Sequence, residues 1–361
     1  MTNATTSRFP ELGFYALPGH TSTPADMFGE LRDAEALGVG SAWISERFDV
    51  KEAASLCGAA GAVTEHMYVG TSATNVNSRH PLVTASMATT LHRLTSGRFA
   101  LGIGRGVGLR FDMMGLPHVS NPHLRDFVDL MKKLWRGERV SYEGPLGTIP
   151  YMHLGDWVND DIPLLFIGFG PRSLSFAGSL FNGVMLHTFI SDDGLARAVR
   201  LIREGAERAG RDPDAVKIWS VVAMACDASE ETYLRYIVAR MGTYLQAPGY
   251  GELLVALNDW DVSVLERFRS DDVVGSMRGG IDSVATPDQL RHIRGLIPEE
   301  WLPAAVGNAT QCAARLNEQF RAGADGVVIH ASKPHEFAPV LEAYRGLRDH
   351  ARFAGRSNRP C

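Results

Sequence analysis

A chain of 361 residues, 45% of them apolar and with a formal net charge of −5, is long enough to bury a sizeable core, as one large domain or two ordinary ones. The mild negative balance without a basic tract argues against a nucleic-acid partner, and no apolar run approaches the roughly 20 residues a bilayer span requires. The N-terminal MTNATTSRFPELG lacks the apolar core of a secretory signal, so the expectation is a cytoplasmic protein in which the Asn3 and Asn308 sequons are chance matches.

In chain order, apolar runs alternate with amphipathic stretches. The pattern predicts a strand over 12–17, a helix over 24–37, strands over 41–45 and 67–73, and a helix over Pro81–Leu94 opened by Pro81 in its first turn. A strand over 98–103 and a helix over 121–136 follow. Residues 139–154 alternate around the turn E-G-P-L-G and read as a surface hairpin. Strands over 164–168, 183–187 and 216–225 alternate with helices over 172–180 and 192–209, and the chain closes with a helix over 310–322 and a strand over 326–330. Strands and helices that alternate from end to end favour a parallel sheet. Eight strands, with no linker or composition break between halves, fit an α/β (β/α)8 TIM barrel better than an open sheet, and a single domain over 1–361. One long segment, 227–303, interrupts the repeat with helical pieces and the glycine-rich GSMRGG at 275–280; it is either a lid over the barrel mouth or a peripheral, dimer-packing insertion. Cys57, Cys226, Cys312 and Cys361 are widely spaced and form no C-x-x-C pair or zinc-ligand pattern, so neither disulfide nor metal is expected.

The densest signal lies between Glu65 and Asp112, a 46-residue stretch with no carboxylate and five arginines, Arg79, Arg93, Arg98, Arg105 and Arg110. Such a run suggests a site built to receive an anion. It ends in the comb G-I-G-R-G-V-G at 102–108, whose spacing departs from a dinucleotide fingerprint and lacks the acidic residue about 20 positions on. Glycines after a strand allow either a tight turn or a close backbone approach to a ligand. A second strand-to-helix junction, Phe169, Gly170, Pro171, Arg172, Ser173, presents a helix N-terminus that suits a phosphate, or is an ordinary turn. Glu46 and Arg47 follow the second strand at the barrel mouth, where charged residues are either catalytic or merely solvated. His20, His187 and His330 fall at strand ends as proton donors or hydrogen-bonded wall residues, and Phe14, Phe48, Met113 and Met114 either line an apolar site or belong to the core.

These loops, in this order, resemble the luciferase-like monooxygenase superfamily, and within it the oxidoreductases that use the deazaflavin coenzyme F420. The carriers are SAWISERF at 41–48, VGTSATN at 69–75, SRHPLVTA at 78–85, LTSGRFALGIGRG at 94–106, LMKKLWRGERVSYEGP at 130–145, IGFGPRS at 167–173 and GADGVVIH at 323–330. The match covers most of the chain and is weak across 227–300. It implies a TIM barrel and a homodimer, with F420 as cofactor or, alternatively, FMN reduced by a partner reductase. It also implies a non-prolyl cis peptide against the ring, which falls on Ser72 and Ala73. Ring and ribityl contacts fall on Asn75, Gly106, Val107 and Arg110, and the phosphate loop on Phe169, Gly170, Arg172 and Ser173. Where sugar-phosphate dehydrogenases of this branch carry an Asp-His pair, this chain has Glu46 and Arg47, and Val107 replaces their glycine-loop acid, so glucose-6-phosphate is not the expected substrate. The resulting expectation is an enzyme that moves a hydride between the deazaflavin C5 and a small organic substrate, with Glu46 contacting the ring or managing a proton and Arg47 orienting the substrate. A non-catalytic flavin- or deazaflavin-binding protein is the third reading.

Overall fold

The computed structural model describes residues 8–48, 50–106 and 108–361. Its main sheet contains eight parallel strands, β1 (Phe9–Tyr15), β2 (Val39–Ile44), β3 (Tyr68–Thr71), β4 (Phe99–Gly104), β5 (Leu164–Ile167), β6 (Gly183–Met185), β7 (Lys217–Cys226) and β8 (Gly326–His330). Each pairs with the next, and β8 returns to β1, so the sheet closes on itself. After them in turn come α1 (Met27–Leu37), α2 (Ala53–Val63), α3 (Pro81–Leu94), α4 (Asn121–Trp135), α5 (Pro171–Gly178), α6 (Asp192–Arg208), α7 (Ala309–Arg321) and α8 (Pro334–Leu347). This is the (β/α)8 TIM barrel that the repeat predicts. Residues of β2 and β4 are buried on both faces, as expected of parallel strands walled by helices outside and by side chains inside.

Alternation along the strands makes two cores. Outward residues such as Ala42, Ile44, Ile218 and Val222 meet the helices, while Trp43, Tyr68, Ala100, Leu165, Met185, Trp219, Val221 and Val328 fill the barrel interior. The Trp43 and Trp219 rings meet edge to face with centroids 6.1 Å apart. Each lies over a glycine: a Cβ on Gly70 would stand 2.4 Å from Trp43, and one on Gly326 2.4 Å from Trp219. The chain end seals the amino-terminal side of the barrel, where the Trp219 indole donates to the Pro360 carbonyl at 2.9 Å and the Arg356 guanidinium lies 5.6 Å from the Trp219 ring centre.

Glu11 on β1 is fully buried and accepts from Arg348 at 2.6 and 3.0 Å and from the Tyr344 hydroxyl at 3.1 Å. Its removal leaves a buried guanidinium without its carboxylate, so Glu11→Ala is expected to destabilise the fold by about 3–5 kcal/mol in urea denaturation. The Glu11→Leu/Arg348→Met pair is expected to recover most of that loss, and an unchanged midpoint for Glu11→Ala would refute the assignment.

The structure differs from the sequence reading at several edges. The run expected as one strand over 67–73 ends at Thr71, before the cis Ser72–Ala73 peptide, and Thr74–Asn75 then resumes pairing with β4. A short strand, Ala305–Gly307, pairs with the end of β7. Two helices not singled out, α2 and α8, complete the ring. The α2 sequence AASLCGAAGAV has little amphipathic contrast, and its start is marked by Glu52, whose carboxylate accepts from the Ala54 and Ser55 amides. The hairpin forms as expected from Val140–Gly144 and Gly147–Met152. Helices dominate the insertion, and its glycine-rich 275–280 stretch joins Asp272–Ser276 to Ile281–Val284. None of the described helices is long and apolar enough to cross a membrane.

Candidate active site

Parallel strands place all eight carboxyl ends on one rim, where a cavity of about 400 Å³ opens. That size lies within the range of roughly 300–1,000 Å³ common for small-molecule sites. Strand ends supply Tyr15, Ser45, Glu46, Ser72, Ala73, Asn75, Gly104, Gly106, Ile167, His187 and His330, and the insertion adds Arg240, Tyr244, Tyr250 and Leu253.

Glu46 is held tightly. Its side chain is 2% exposed; it accepts from the Thr74 hydroxyl at 2.5 Å and from Arg79 at 2.5 Å, with the Asn75 amide at 3.5 Å. Arg79 in turn contacts Glu52 and donates to Thr74 at 2.8 Å. Burial alone would disfavour the Arg79 charge, but the two carboxylates outweigh it and raise the guanidinium pKa further. Arg47 lines the rim, with its guanidinium 2.8 Å from His20 Nδ1.

Across the cavity, the Tyr15 hydroxyl and Ser72 Oγ share a 2.5 Å hydrogen bond, and Ser72 Oγ lies 3.1 Å from the Met185 sulfur. Burial raises the Tyr15 phenol pKa despite the Ser72 contact, so Tyr15 stays protonated. Phe169, His187, Tyr244 and Tyr250 form an aromatic wall, with Phe169 and Tyr250 centroids 4.8 Å apart and His187 and Tyr244 4.6 Å apart. The His330 ring stands 5.0 Å from Tyr15, and its Nδ1 is a buried polar atom without a hydrogen-bond partner.

His187 faces the cavity rather than bulk water, and this desolvation lowers its pKa to about 4. The unfolded chain therefore takes up a proton below pH 6.5 that the folded protein refuses, so His187 makes stability fall as pH drops from 6.5 towards 4. Above pH 6.5 it contributes no slope. His330, lowered by burial in the same direction, adds to the trend. The limiting slope is about 1.4 kcal/mol per pH unit for one such group. Denaturation midpoints across this window are expected to lose part of their acid sensitivity in His187→Gln, and an identical pH profile for the variant would contradict the burial argument.

The site residues expected from sequence are only partly gathered here. Glu46, Arg47, Ser72, Ala73, Asn75, Gly106, Arg110, Phe169, Gly170 and Ser173 line the cavity. Arg172, expected in the phosphate loop, is exposed and lies outside the lining, and Val107 falls outside the described residues. The first-turn amides of α5 receive no side-chain cap from Gly170. Of the five arginines in the acid-free run, only Arg105 and Arg110 reach the cavity. Arg79 is spent on Glu46 and Glu52, Arg93 pairs with Asp160, and Arg98 donates to the Thr64 and Met67 carbonyls at the amino-terminal side. A run free of carboxylates in sequence is thus met by carboxylates from elsewhere. Phe14 lies in the outer core against Phe337, and Met113 and Met114 lie outside the cavity, so of the four apolar candidates only Phe48 lines it. The sequence reading missed Tyr15, Arg240, Tyr244 and Tyr250. For Arg240 the available signal was a lone cation in the apolar stretch YIVARMGTYL.

A family model described as luciferase-like monooxygenase matches residues 12–326. The 5,10-methylenetetrahydromethanopterin reductase of Methanopyrus kandleri is 30% identical over 319 residues, 83% of this chain and 86% of its own. The F420-dependent glucose-6-phosphate dehydrogenase of Nakamurella multipartita is 32% identical over 232 residues, 57% of this chain and 67% of its own. In fold, the coenzyme F420 dependent tetrahydromethanopterin reductase from Methanopyrus kandleri superposes with a TM-score of 0.76 at 23% identity, over 95% of this chain and 99% of that one.

Proposed function

Because the chain belongs to the luciferase-like monooxygenase family, we propose that it is an F420-dependent oxidoreductase acting on a small organic substrate. The observation that carries the reading is the cavity wall between the cis Ser72–Ala73 peptide and the glycine loop. There Gly104 and Gly106 leave the backbone bare, and a side chain at Gly106 would fill the space against Asn75 and Phe111. The residues present fit a phosphorylated tricyclic ring: a bare, partly apolar wall for the ring, Arg110 at the rim, and an uncapped helix N-terminus for a phosphate.

In this reading Ser72, Ala73, Asn75, Gly106 and Arg110 hold the ring and its ribityl chain, while Phe169, Gly170 and Ser173 receive the phosphate at α5. Val107 and Arg172 remain on the cofactor side of the proposal, Arg172 as a solvent-facing charge beside the phosphate. When bound, F420 supplies or accepts a hydride at C5 of the deazaflavin. The chain's own groups position and exclude. Glu46, fixed by Arg79 and Thr74, presents a carboxylate of set orientation to the ring edge, where it makes contact or manages a proton. Arg47 orients the substrate and stabilises negative charge that develops on it. The insertion acts as a lid, since Arg240, Tyr244, Tyr250 and Leu253 close the cavity from above. With Glu46 and Arg47 in place of an Asp-His pair, oxidation of glucose-6-phosphate is not part of the proposal.

The test is turnover. Reduced F420 mixed with the protein and a panel of ketones and enones is expected to be oxidised in step with product, and Glu46→Gln is expected to lower kcat by about a hundredfold or more, the range of a lost acid-base group. Tight F420 binding with no turnover on any member, or on alcohols in reverse, would favour a binding protein over an enzyme.

A further inference from the structure

The cavity divides by strand order into two unlike halves. The β3–β5 side is bare backbone and the α5 terminus; the β6–β8–β1 side carries Tyr15, His187, Val221 and His330, roofed by Arg240 and Tyr244. Arg240, from the helix Ala239–Gln246, is 9% exposed, and its Nη1 lies 3.2 Å from Asp282 Oδ2. Asp282 is not part of the lining; its own amide donates to the Thr243 hydroxyl at 2.8 Å, so it grips the guanidinium from behind. Asp282 holds one edge of the fork, the Tyr244 hydroxyl is a second partner, and the residue still lines the cavity. The Tyr244 ring, one helical turn on, lies 6.0 Å from Arg240 Cζ and stiffens the placement.

A guanidinium so deeply buried needs an anion to offset its desolvation, and Asp282 supplies only one side of that need. Among the described lining residues four are arginines, Arg47, Arg105, Arg110 and Arg240, and Glu46 is the one carboxylate, already matched by Arg79 behind it. Arg105 is turned to the Val119 carbonyl and Asn121. In the half away from the glycine loop, Arg240 therefore borders the cavity with no acid among the described lining residues. Among the described lining residues this half has no lysine and no helix N-terminus, so it offers one planar fork rather than the multiple donors a phosphate usually draws.

We propose that Arg240 is the specificity-determining residue of this site and that the substrate is a small organic acid whose carboxylate docks on it. The inference rests on the F420 reading for the other half of the cavity. A neutral pterin is disfavoured, because its amino-pyrimidinone edge calls for a carboxylate acceptor, and none of the described residues lining this half is one.

The experiment compares acids with their neutral esters. Pyruvate, acetoacetate and cinnamate, each beside its methyl ester, are titrated against the full-length protein with and without F420, read by thermal shift and by F420 fluorescence. Wild type is expected to bind at least one acid about tenfold or more tightly than its ester, as a charge-assisted hydrogen bond implies. Arg240→Met is expected to erase that preference while the F420 Kd stays within about twofold, and Arg240→Lys to restore part of it. Because Arg240→Met leaves Asp282 with only the His20 ring, 3.4 Å away, as an ion-pair partner, Arg240→Met/Asp282→Asn serves as the balanced control and is expected to behave as the single variant does. Equal binding of acid and ester by wild type, or an acid preference that survives in both methionine variants, overturns the proposal. F420 binding that is absent from the wild type would instead overturn the cofactor reading, while the acid-ester comparison without F420 still decides the role of Arg240.

Discussion

Arg79→Met is expected to lower the free energy of unfolding by about 3–5 kcal/mol and to abolish turnover. The magnitude is that of breaking a buried ion pair by removing one partner. The Glu46 side chain is 2% exposed, and what remains to satisfy its carboxylate is the Thr74 hydroxyl and a long contact from Asn75. The outer partner Glu52 is half exposed and loses little when Arg79 goes, so the cost falls on Glu46. The check is a pair of urea curves with a second variant. Glu46→Gln/Arg79→Met removes both charges and is expected to recover most of the stability without recovering activity. If Arg79→Met alone were as stable as wild type, Glu46 would not be a charge held in place by Arg79, and its assignment as an oriented carboxylate would fall.

Gly106→Ala is expected to weaken F420 binding by roughly tenfold to a hundredfold and to cost about 1–2 kcal/mol of stability, too little to unfold the barrel. Gly106 has φ +70°, a left-handed conformation that costs an L-residue about 1–2 kcal/mol. The added Cβ would also stand 2.3 Å from the Phe111 ring and 2.8 Å from Asn75 Oδ1. Phe111 is 1% exposed and has nowhere to swing, so the loop itself must move. A loop at the barrel rim can shift without unfolding the strands beneath it, which is why the loss should fall on the ligand. Equilibrium titration with F420 beside a thermal melt separates the two effects. An unchanged Kd would mean that this loop is not the ring's wall.

The architecture was legible because its signals are repetitive: eight apolar runs separated by amphipathic stretches leave few alternatives to a closed parallel sheet. Edges were less legible where local chemistry overrides the period. Nothing in V-G-T-S-A-T-N marks the Ser72–Ala73 bond as cis without the family resemblance, and the almost uniformly apolar α2 offers no stripe to read. The site was legible in so far as it is local. The strand-end positions Glu46, Asn75, Gly106 and Phe169 follow from the barrel rule that carboxyl ends converge. Arg240 and Tyr250 were hidden because they come from the insertion and meet the strand ends only through tertiary packing. The acid-free run misled for the same reason: Glu46, Glu52 and Asp160 come from outside it to neutralise Arg79 and Arg93. Local charge counts miss partners that the fold supplies.

In the proposed function the cavity at the carboxyl end of the barrel receives F420 between the glycine loop and the Ser72–Ala73 peptide. The most direct test of this placement is a side-by-side titration of the apoprotein with F420 and FMN, repeated with Gly106→Ala. F420 is expected to bind more tightly than FMN by about tenfold or more, and Gly106→Ala to lose this affinity. FMN binding tighter than F420, or F420 binding that Gly106→Ala leaves untouched, would contradict the placement.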